Sequence, residues 1–392
     1  MKAKSIQGNS LEEVRYALED ILDLTARSGD QEFRPELAFV FVSIKQDWVT
    51  LRDLLHRKGL EVLGATSSGE FTEAGQSEGG ISVLLLELPK ADYAIFYEPI
   101  GERTMEDAAM NLARRALQTF DCPAFILLST LLSADGKMLE GETLIRSIEK
   151  VTGPQVTLFG GMAGDDISFT GTYVFTHDQS TDYGLVALIL NEEKVSLSGM
   201  AISGWKPVGV ARTITKSRGN LLYTIDGQPA LDMYLRFLGM ERSSAEDQVR
   251  FFDTIGVHYP FQIEREGREP MMCNPIGYNK EEGALICESD IREGSRFRFS
   301  TPPDFDILET VVGKANELKM QTHAKADALL IFSCAGRLSA LGPLARDENE
   351  KLAGVWNVPM AGFYTYGEFG KGPNGKHEFH STTNSWVVLK EK

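Results

Sequence analysis

The sequence predicts an α/β fold in two domains, in which duplicated helix-strand-helix-strand units form mixed sheets that pack on each other and are covered by helices. Three observations predict this fold. Amphipathic helical patterns alternate with short strand patterns. The central strands are apolar on both faces, as strands between two packed layers are. The same order of elements occurs three times along the 392 residues, of which 42% are hydrophobic and can form a large core.

The first unit begins at a capping box formed by Ser10 and Glu13. Apolar residues at helical spacing predict a helix from there to about Gly29, and the buried strand LAFVFVS follows. A short helix around Trp48 ends at Gly59. The segment LEVLGATSSGEF then predicts a strand that ends in a glycine turn.

The second and third units repeat this order. From Thr104, a helix, the strand AFILLS and a short helix precede the segment VTLFGGMAGDD. From Pro302, a helix, the strand ALLIFSCAG and a short helix that ends at Gly354 precede the segment PMAGFYTYGEF. A glycine and an acidic residue therefore follow the second strand of every unit, and we call this feature the Gly-acid turn.

A β-rich insertion is predicted between the second and third units, at residues 205–300. Its hairpin signals are Asp226-Gly227 and Glu282-Gly283, and one helix is expected from Pro229 to Leu238. We place the division between an N-terminal and a C-terminal domain at the start of this insertion. The two predicted domains are residues 1–205 and 206–392.

The charge and the cysteine spacing exclude several classes of protein. The 56 Asp and Glu residues outnumber the 40 Lys and Arg residues, and the net charge of -16 repels nucleic acids and anionic membranes. The N-terminal lysines are not followed by an apolar run, and no stretch is long enough to span a bilayer. The four cysteines lack C-x-x-C spacing, so neither a zinc module nor a disulfide framework is expected. The sequence thus predicts a cytoplasmic protein without nucleic-acid or membrane partners.

The segments GATSSGEF (64–71) and GFYTYGEF (362–369) have the glycine spacing of phosphate-binding loops, but Glu and Phe stand where such loops need Lys and Ser or Thr. They follow buried strands, at the edge where α/β sheets collect ligands. Their acidic residues suit an ammonium group or another polar ligand better than a phosphate. The alternative is purely structural, with each carboxylate accepting backbone N–H groups at its turn.

The candidate ligand contacts are the polar residues and glycines of these turns, together with one arginine. In the first domain they are Ser67, Ser68, Glu70, Gly161, Asp165 and Asp166, and in the second domain they are Arg337, Tyr364, Tyr366 and Glu368. The adjacent carboxylates of Asp165 and Asp166 also suit Mg²⁺, which leaves an enzymatic alternative open.

Cys334 offers a second enzymatic alternative, because Arg337 follows three residues later and a nearby guanidinium lowers the pKa of a thiol. The sequence names no general base for such a nucleophile. The competing interpretation is a small buried thiol, with Arg337 paired to a carboxylate such as Glu350.

The histidines are candidates for structural or metal-binding roles. His177 and His258 stand alone beside aromatic residues, and each is either a structural histidine or a ligand of a haem iron. His377 and His380 have His-x-x-His spacing, but they follow a Gly- and Lys-rich stretch in which solvated histidines are expected.

Seven motifs together resemble those of a known family. They occur in the order VLGATSSGEFT, LFGGMAGDD, SGWKPVG, DGQPALDMYLRFLG, YPFQI, FSCAGR and GFYTYGEF, over roughly residues 35–388. With them the chain resembles a FIST protein of the stand-alone bacterial type, with an N-terminal and a C-terminal FIST domain.

The resemblance implies a sensor in signal transduction that binds a small ligand such as an amino acid. The acidic turns at the strand ends and the lack of a catalytic set in the sequence favour a non-enzymatic sensor. No F-box, kinase, cyclase or methyl-accepting region is recognised, so the signal is expected to pass to a separate partner chain. Some stand-alone members bind haem and sense nitric oxide together with a histidine kinase. This implies haem as an alternative ligand, with His258 and His177 as candidates that the resemblance itself does not assign.

Overall fold

Three mixed six-stranded sheets form the main body of the protein, and a further sheet forms the insertion between the second and third units. The computed structural model describes residues 1–27, 33–241, 251–322 and 325–392. Within these residues, no helix is both long and apolar enough to cross a bilayer. The predicted α/β class with mixed sheets is confirmed.

Each sheet of the main body contains strands from more than one unit. From edge to edge, the first sheet contains β1 (Lys2–Gly8), β6 (Ile81–Glu87), β2 (Leu37–Ser43), β3 (Glu61–Ser67), β10 (Val174–Thr176) and β11 (Ser180–Thr181). The second contains β7 (Tyr93–Pro99), β12 (Gly184–Asn191), β8 (Pro123–Ser129), β9 (Thr157–Met162), β24 (Glu368–Lys371) and β25 (His377–His380). The third contains β13 (Val195–Ile202), β26 (Asn384–Glu391), β22 (Ala328–Cys334), β23 (Met360–Thr365), β4 (Glu70–Thr72) and β5 (Gly75–Ser77).

One parallel pair lies at the centre of each of these sheets. The pairs are β2 with β3, β8 with β9, and β22 with β23. The other described strand pairs of the three sheets are antiparallel. The carboxyl ends of each parallel pair meet at one edge of the sheet, and the Gly-acid turns leave from there.

The three units exchange hairpins in a cycle. The hairpin β4–β5 follows β3 in the chain but pairs with β23 of the third sheet. The hairpin β10–β11 follows β9 and pairs with β3, and β24–β25 follows β23 and pairs with β9. Strands from both sides of residue 205 therefore share the second and third sheets.

The inner faces of the three sheets enclose one apolar core. Phe41 of β2 stacks on Phe363 of β23 with ring centroids 4.4 Å apart, and its edge contacts Phe332 of β22 at 6.2 Å. Ile126 and Leu128 of β8 complete the core from the second sheet, and all five side chains are fully buried. Each such side chain stabilises the fold by about 1.5–3 kcal/mol relative to an exposed one.

Helices cover the outer face of each sheet. They are α1 (Leu11–Arg27) and α2 (Trp48–Arg57) on the first sheet, α3 (Met105–Thr119) and α4 (Gly141–Thr152) on the second, and α7 (Ile307–Thr322), α8 (Ala335–Leu341) and α9 (Pro343–Trp356) on the third. The predicted cap of α1 is present, because the backbone N–H of Glu13 donates to Ser10 Oγ at 3.3 Å. The predicted end of this helix at Gly29 lies outside the described residues.

The prediction of a single short helix that ends at Gly354 is wrong, because α8 and α9 are separate helices. Gly342, with φ 54°, ends α8, and Pro343 begins α9. A proline in the first turn of a helix loses nothing by lacking an N–H group, since that group has no helical partner there. The same proline disfavours continuation of the preceding helix.

The insertion is β-rich, as predicted. Its sheet contains β18 (Met271–Cys273), β17 (Phe261–Ile263), β21 (Arg296–Thr301), β14 (Lys206–Arg218), β15 (Leu221–Ile225), β20 (Ala284–Cys287) and β19 (Pro275–Asn279), and β16 (Gln228–Pro229) pairs with β15. Helices α5 (Ala230–Leu238) and α6 (Phe251–His258) pack on this sheet. Both predicted hairpins are confirmed, since Ile225 pairs with Gln228 and Asn279 pairs with Ala284.

The expectation that His377 and His380 are solvated is wrong. Both lie in β25 and are buried, because this strand adds to the edge of the second sheet. Burial lowers the pKa of each imidazole to about 4, so both are neutral at physiological pH. His377 Nδ1 lies 2.7 Å from the carbonyl oxygen of Leu158, which is a structural contact.

Candidate functional site

The Gly-acid turns carry the chain from one sheet to the next. Gly69 has φ 121°, and a Cβ atom at this position would lie 2.9 Å from the ring of Tyr364. Glycine is therefore required both for the backbone conformation and for the close approach. Glu70 follows at the start of β4, opposite Phe363, and so its side chain points toward the inside of the three sheets.

Glu70 is a buried carboxyl group held by neutral donors. Ser67 Oγ donates a hydrogen bond to Glu70 Oε1, and the backbone N–H of Gly80 donates to Oε2 at 2.8 Å. Burial, with a smaller contribution from the negative charge of Asp166, raises the pKa of Glu70 to about 7 against the effect of these hydrogen bonds. The two carboxyl groups are thus close enough to interact.

Glu368 repeats the arrangement in the third unit. Thr365 Oγ1 donates to its Oε1 at 2.5 Å, and Thr383 donates to Oε2 through Oγ1 at 2.7 Å and through its backbone N–H at 3.2 Å. Burial raises the pKa of Glu368 to about 8. In both turns a hydroxyl group three residues earlier holds the carboxyl group, which fixes the start of the exchanged hairpin.

The Gly-acid turn of the second unit differs from the other two. Asp165 and Asp166 lie in the loop between β9 and β10, ahead of the exchanged hairpin. The position that corresponds to Glu70 and Glu368 in the strand pairing is Val174, which pairs with Ala65 and lies in the apolar core. The glycine and acidic residue that define the Gly-acid turn in the sequence do not show this difference.

Asp165 organises its own loop and contacts the third unit. Its fully buried carboxylate accepts the backbone N–H groups of Phe169 at 3.1 Å, Thr170 at 2.7 Å and Gly171 at 3.1 Å. It also accepts a hydrogen bond from the hydroxyl of Tyr366. The Thr170 hydroxyl is a fifth donor at 3.5 Å, and five donors on one carboxylate leave it little capacity for an additional ligand.

Asp166 points away from Asp165 and toward the first unit. Ser43 Oγ donates to Asp166 Oδ2 at 2.6 Å, and Lys45 Nζ lies 3.2 Å from the same oxygen. Only 10% of the Asp166 side chain is exposed, against 72% of the Lys45 side chain. The adjacent carboxylates therefore do not share a metal ion, and no group of three or more metal-binding side chains occurs in the described part of the chain.

The loop that contains Asp166 has an unusual backbone. Three non-glycine residues adopt left-handed conformations, Asp166 with φ 55°, Ile167 with φ 61° and Phe169 with φ 51°. Such conformations cost about 1–3 kcal/mol each and are concentrated at functional sites. The ring of Phe169 is largely exposed and stacks on Tyr366 at 5.0 Å, so an apolar side chain covers this edge of the site.

Ser68 lies under the same loop. Its Oγ is buried beside the Tyr366 hydroxyl. Among the described residues it has no hydrogen-bond partner at normal distance and angle. A Cβ atom at Gly164 would lie 2.4 Å from this oxygen, so the loop passes very close to it. The structure thus brings together six predicted residues or their direct partners. They are Ser67, Ser68, Glu70, Asp165, Asp166 and Tyr366.

Arg337 and Tyr364 belong to a separate polar network on the helix-covered side of the third sheet. Arg337 is fully buried and forms an ion pair with Glu348. The sequence suggested Glu350 as an example of a partner for Arg337. That prediction is wrong, because Glu350 pairs with Arg346 at the surface. Tyr364 donates from its hydroxyl to Gln76 Oε1 at 2.9 Å.

Gly161 serves packing. It pairs with Glu368, and a Cβ atom there would lie 2.7 Å from Thr365 Cγ2. The glycine lets the exchanged hairpin β24–β25 approach β9 closely.

The Cys334 thiol lacks the properties of a nucleophile. It is buried, and burial together with the charge of Glu368 raises its pKa well above the ordinary value. Arg337 is occupied by Glu348 and does not reverse this effect. At neutral pH the group is therefore a thiol and not a thiolate.

The two candidate haem ligands lie in different settings. The ring of His177 stacks on His56 at 4.9 Å and lines a cleft of about 180 Å³. Pockets for drug-sized ligands occupy roughly 300–1,000 Å³, so this cleft does not fit a haem group. His258 is half-buried, its Nε2 lies 3.3 Å from Ser339 Oγ, and burial lowers its pKa.

Sequence reasoning did not identify Ser43 and Lys45 as parts of the site. The signal for them is the position of Ser43 at the end of LAFVFVS, because β2 and β3 are parallel and Ser43 pairs with Ser67. A polar residue at the end of each of two adjacent parallel strands marks one edge of a sheet.

Comparisons with known proteins are consistent with this architecture. The model of the FIST N domain matches residues 36–228, and the model of the FIST C domain matches residues 230–371. The uncharacterized protein MJ1623 of Methanocaldococcus jannaschii is 23% identical over 223 residues, which cover 53% of this chain and 41% of that protein. The chain thus spans less than half of that relative. The domain division between residues 205 and 206 stays a prediction. Because the two domain models together match most of its length, the chain belongs to the FIST family and carries its N and C domains, which are associated with sensing in signal transduction.

Proposed function

We propose that this protein is a non-enzymatic cytoplasmic sensor that binds a small ammonium-bearing ligand, such as an amino acid, beside Glu70 and Asp166. The observation that carries the proposal is the ion pair between the Asp166 carboxylate and the Lys45 ammonium. Asp166 is nearly buried, whereas its partner Lys45 is a largely exposed side chain. A ligand ammonium can replace the Lys45 ammonium at the same oxygen.

Electrostatics favour this exchange. The charge of Asp166 raises the pKa of Glu70, so the local field is negative and stabilises an added cation. The Lys45 ammonium is largely exposed and stays hydrated when it leaves Asp166, while the ligand ammonium takes its place at this nearly buried carboxylate. A ligand that also uses the Ser68 hydroxyl gains a charge-independent contact.

The strained loop supplies a structural response. Asp166 and Phe169 hold left-handed conformations in a loop that Asp165 ties to Tyr366 of the third unit. A ligand that binds Asp166 acts on this loop directly. Because a ligand shifts an equilibrium only when it binds the two states differently, the loop is the element whose two arrangements the ligand would distinguish. We propose that a separate signalling protein, for example a histidine kinase, detects the change.

A thermal-shift panel tests the proposal. The protein is melted with each of the twenty amino acids and with the matching N-acetyl amino acids, which lack the ammonium group. A ligand that binds only the folded form raises the melting temperature, by an amount that grows with its concentration over Kd. The expected result is stabilisation by at least one amino acid, none by its N-acetyl form, and loss of the effect in Asp166→Asn.

The matched control is Asp304→Asn, which removes an exposed carboxylate that is paired with Lys206 and makes no contact with Asp166. This variant should respond to the amino acids as the wild type does. The proposal is wrong if no amino acid stabilises the wild type, or if the N-acetyl forms act equally well.

A further inference from the structure

A second cleft lies in the insertion, between strand β14, helix α5 and strand β21. We propose that it binds a small organic monocarboxylate with an apolar body, and that Arg236 is the residue that holds the carboxylate. The cleft has a volume of about 310 Å³, at the lower end of the range of small-molecule pockets. It shares no residue with the site around Asp166, so the inference does not depend on the function proposed above.

The floor of the cleft is apolar. Phe237 of α5 stacks on Phe299 of β21, with ring centroids 4.4 Å apart and an interplanar angle of 8°. Met233 lies one helical turn before Phe237 and is almost fully buried at the same floor. Two stacked rings and a thioether form a surface that favours a flat or flexible hydrocarbon group.

An irregular bulge of three residues in β14 forms one wall. Val208 pairs with Phe299 and Arg212 pairs with Phe297, so the three residues 209–211 stand opposite the single residue Arg298. Bulges of this kind redirect side chains and are frequent beside binding sites. Val210 is 69% exposed and lines the cleft, although it belongs to a strand.

The two arginines at the rim of the cleft differ in whether a carboxylate is bound to them. Arg212 Nη1 donates to Asp226 Oδ2 at 3.0 Å, and the other oxygen of Asp226 accepts the backbone N–H of Thr213 at 2.9 Å. The Asp226 carboxylate is therefore occupied. Arg236 also lines the cleft, and its guanidinium makes neither an ion pair nor a hydrogen bond with any residue that the structure describes.

An unpaired guanidinium above an apolar floor determines the class of ligand. Arginine binds a carboxylate through two parallel hydrogen bonds, which matches one planar anionic group. The neighbouring Asp226 repels a second negative charge, so a monocarboxylate is favoured over a phosphate ester or a dicarboxylate. The stacked rings then take up the apolar part of the same molecule.

Nuclear magnetic resonance of methyl-labelled methionine tests the proposal directly. Met233 supplies the reporter, and its resonance is assigned with Met233→Leu. The probe is 3-phenylpropionate, and the matched neutral compound is 3-phenylpropanamide. The expected result is a saturable shift of the Met233 methyl resonance with 3-phenylpropionate and a shift at least about tenfold weaker in affinity with the amide, as the loss of a charge-assisted pair predicts.

Two arginine variants complete the test. Arg236→Gln should weaken the probe at least about tenfold, and Arg236→Lys should retain an intermediate affinity because a point charge remains. Arg292→Gln, at an exposed position outside the cleft, is the matched control and should bind as the wild type does. The proposal is overturned if the Met233 resonance does not respond, if the amide binds equally well, or if Arg236→Gln binds the probe with unchanged affinity while its melting temperature stays that of the wild type.

Discussion

The hydroxyl of Tyr366 donates a hydrogen bond to the carboxylate of Asp165, across 201 residues of sequence. This bond joins the loop of the second unit to the Gly-acid turn of the third. It lies where the exchanged hairpin β24–β25 leaves its own unit, so it links the candidate site to the interlocking of the three sheets.

Removing this hydroxyl should destabilise the fold moderately. Tyr366→Phe leaves Asp165 with its three backbone donors and the distant Thr170 hydroxyl, and we expect the free energy of unfolding to fall by about 1–2 kcal/mol. Chemical denaturation measures the change. Tyr97→Phe removes a solvent-exposed hydrogen bond to the Ser180 carbonyl and is the control, with an expected change within about 0.5 kcal/mol. Equal losses in both variants would contradict the role given to Tyr366.

Glu368 should make stability depend on pH. Since its pKa is raised from 4.5 to about 8, the folded state holds the proton more tightly than the unfolded state does. The resulting stabilisation is complete below the ordinary pKa and disappears as the pH rises through the folded-state value. Glu368→Gln keeps a neutral side chain at every pH, so its melting temperature should fall less than that of the wild type between about pH 5 and about pH 9.

The control for this measurement is Glu309→Gln, at an exposed position of α7. Its pH profile should follow the wild type. A Glu368→Gln profile parallel to that of the wild type over the whole range would show that Glu368 is charged in the folded protein.

The buried ion pair of Arg337 with Glu348 should contribute far more to the free energy of unfolding than the exposed ion pair nearby. Arg337→Met leaves Glu348 buried without its partner, and we expect a loss of about 3–5 kcal/mol in the free energy of unfolding. Arg346→Met breaks the exposed pair with Glu350 in the same region and should cost about 0.5 kcal/mol or less. The assignment fails if the two variants unfold at similar denaturant concentrations.

Thiol labelling should distinguish the cysteines. Cys122 is exposed, whereas Cys273, Cys287 and Cys334 are buried. A disulfide reagent at neutral pH should therefore modify one thiol rapidly in the native protein and all four in denaturant. Rapid native modification of Cys334, identified by peptide mass spectrometry, would reopen the enzymatic alternative.

Because the units exchange hairpins, we expect that residues 1–205 cannot fold without the rest of the chain. A chain of residues 1–205 lacks β24 and β25 of the second sheet and β22, β23 and β26 of the third. We expect no cooperative thermal transition for it, in contrast to the full chain. A sharp two-state transition of the isolated segment would contradict the interlocked arrangement.

Local patterns in the sequence predicted much of the fold. The capping box at Ser10, the hairpin signals at Asp226-Gly227 and Glu282-Gly283, and the apolar strands of each unit all arise from interactions within a few residues. The exchange of hairpins could not be predicted in this way. Phe71 pairs with Gly362, and no local signal connects residues so far apart in the chain.

The site was predictable in part for the same reason. Ser67 and Glu70 stand in one turn, so their contact follows from the spacing, whereas the partner Asp166 comes from another unit. The partner of Arg337 is Glu348 rather than Glu350 because Glu348 lies on the buried face of α9 and Glu350 on its exposed face, which the spacing in the sequence alone did not show.

Native mass spectrometry of the freshly purified protein shows whether a small amine is bound at Asp166. The wild type and Asp166→Asn are compared with their denatured chains. We expect the wild type to carry an additional mass in the range of an amino acid or another small amine. Denaturation should release this mass, and Asp166→Asn should lack it. A bare chain mass for the wild type, an equal adduct in both proteins, or an adduct with the mass of haem would contradict binding of an ammonium-bearing ligand at Asp166.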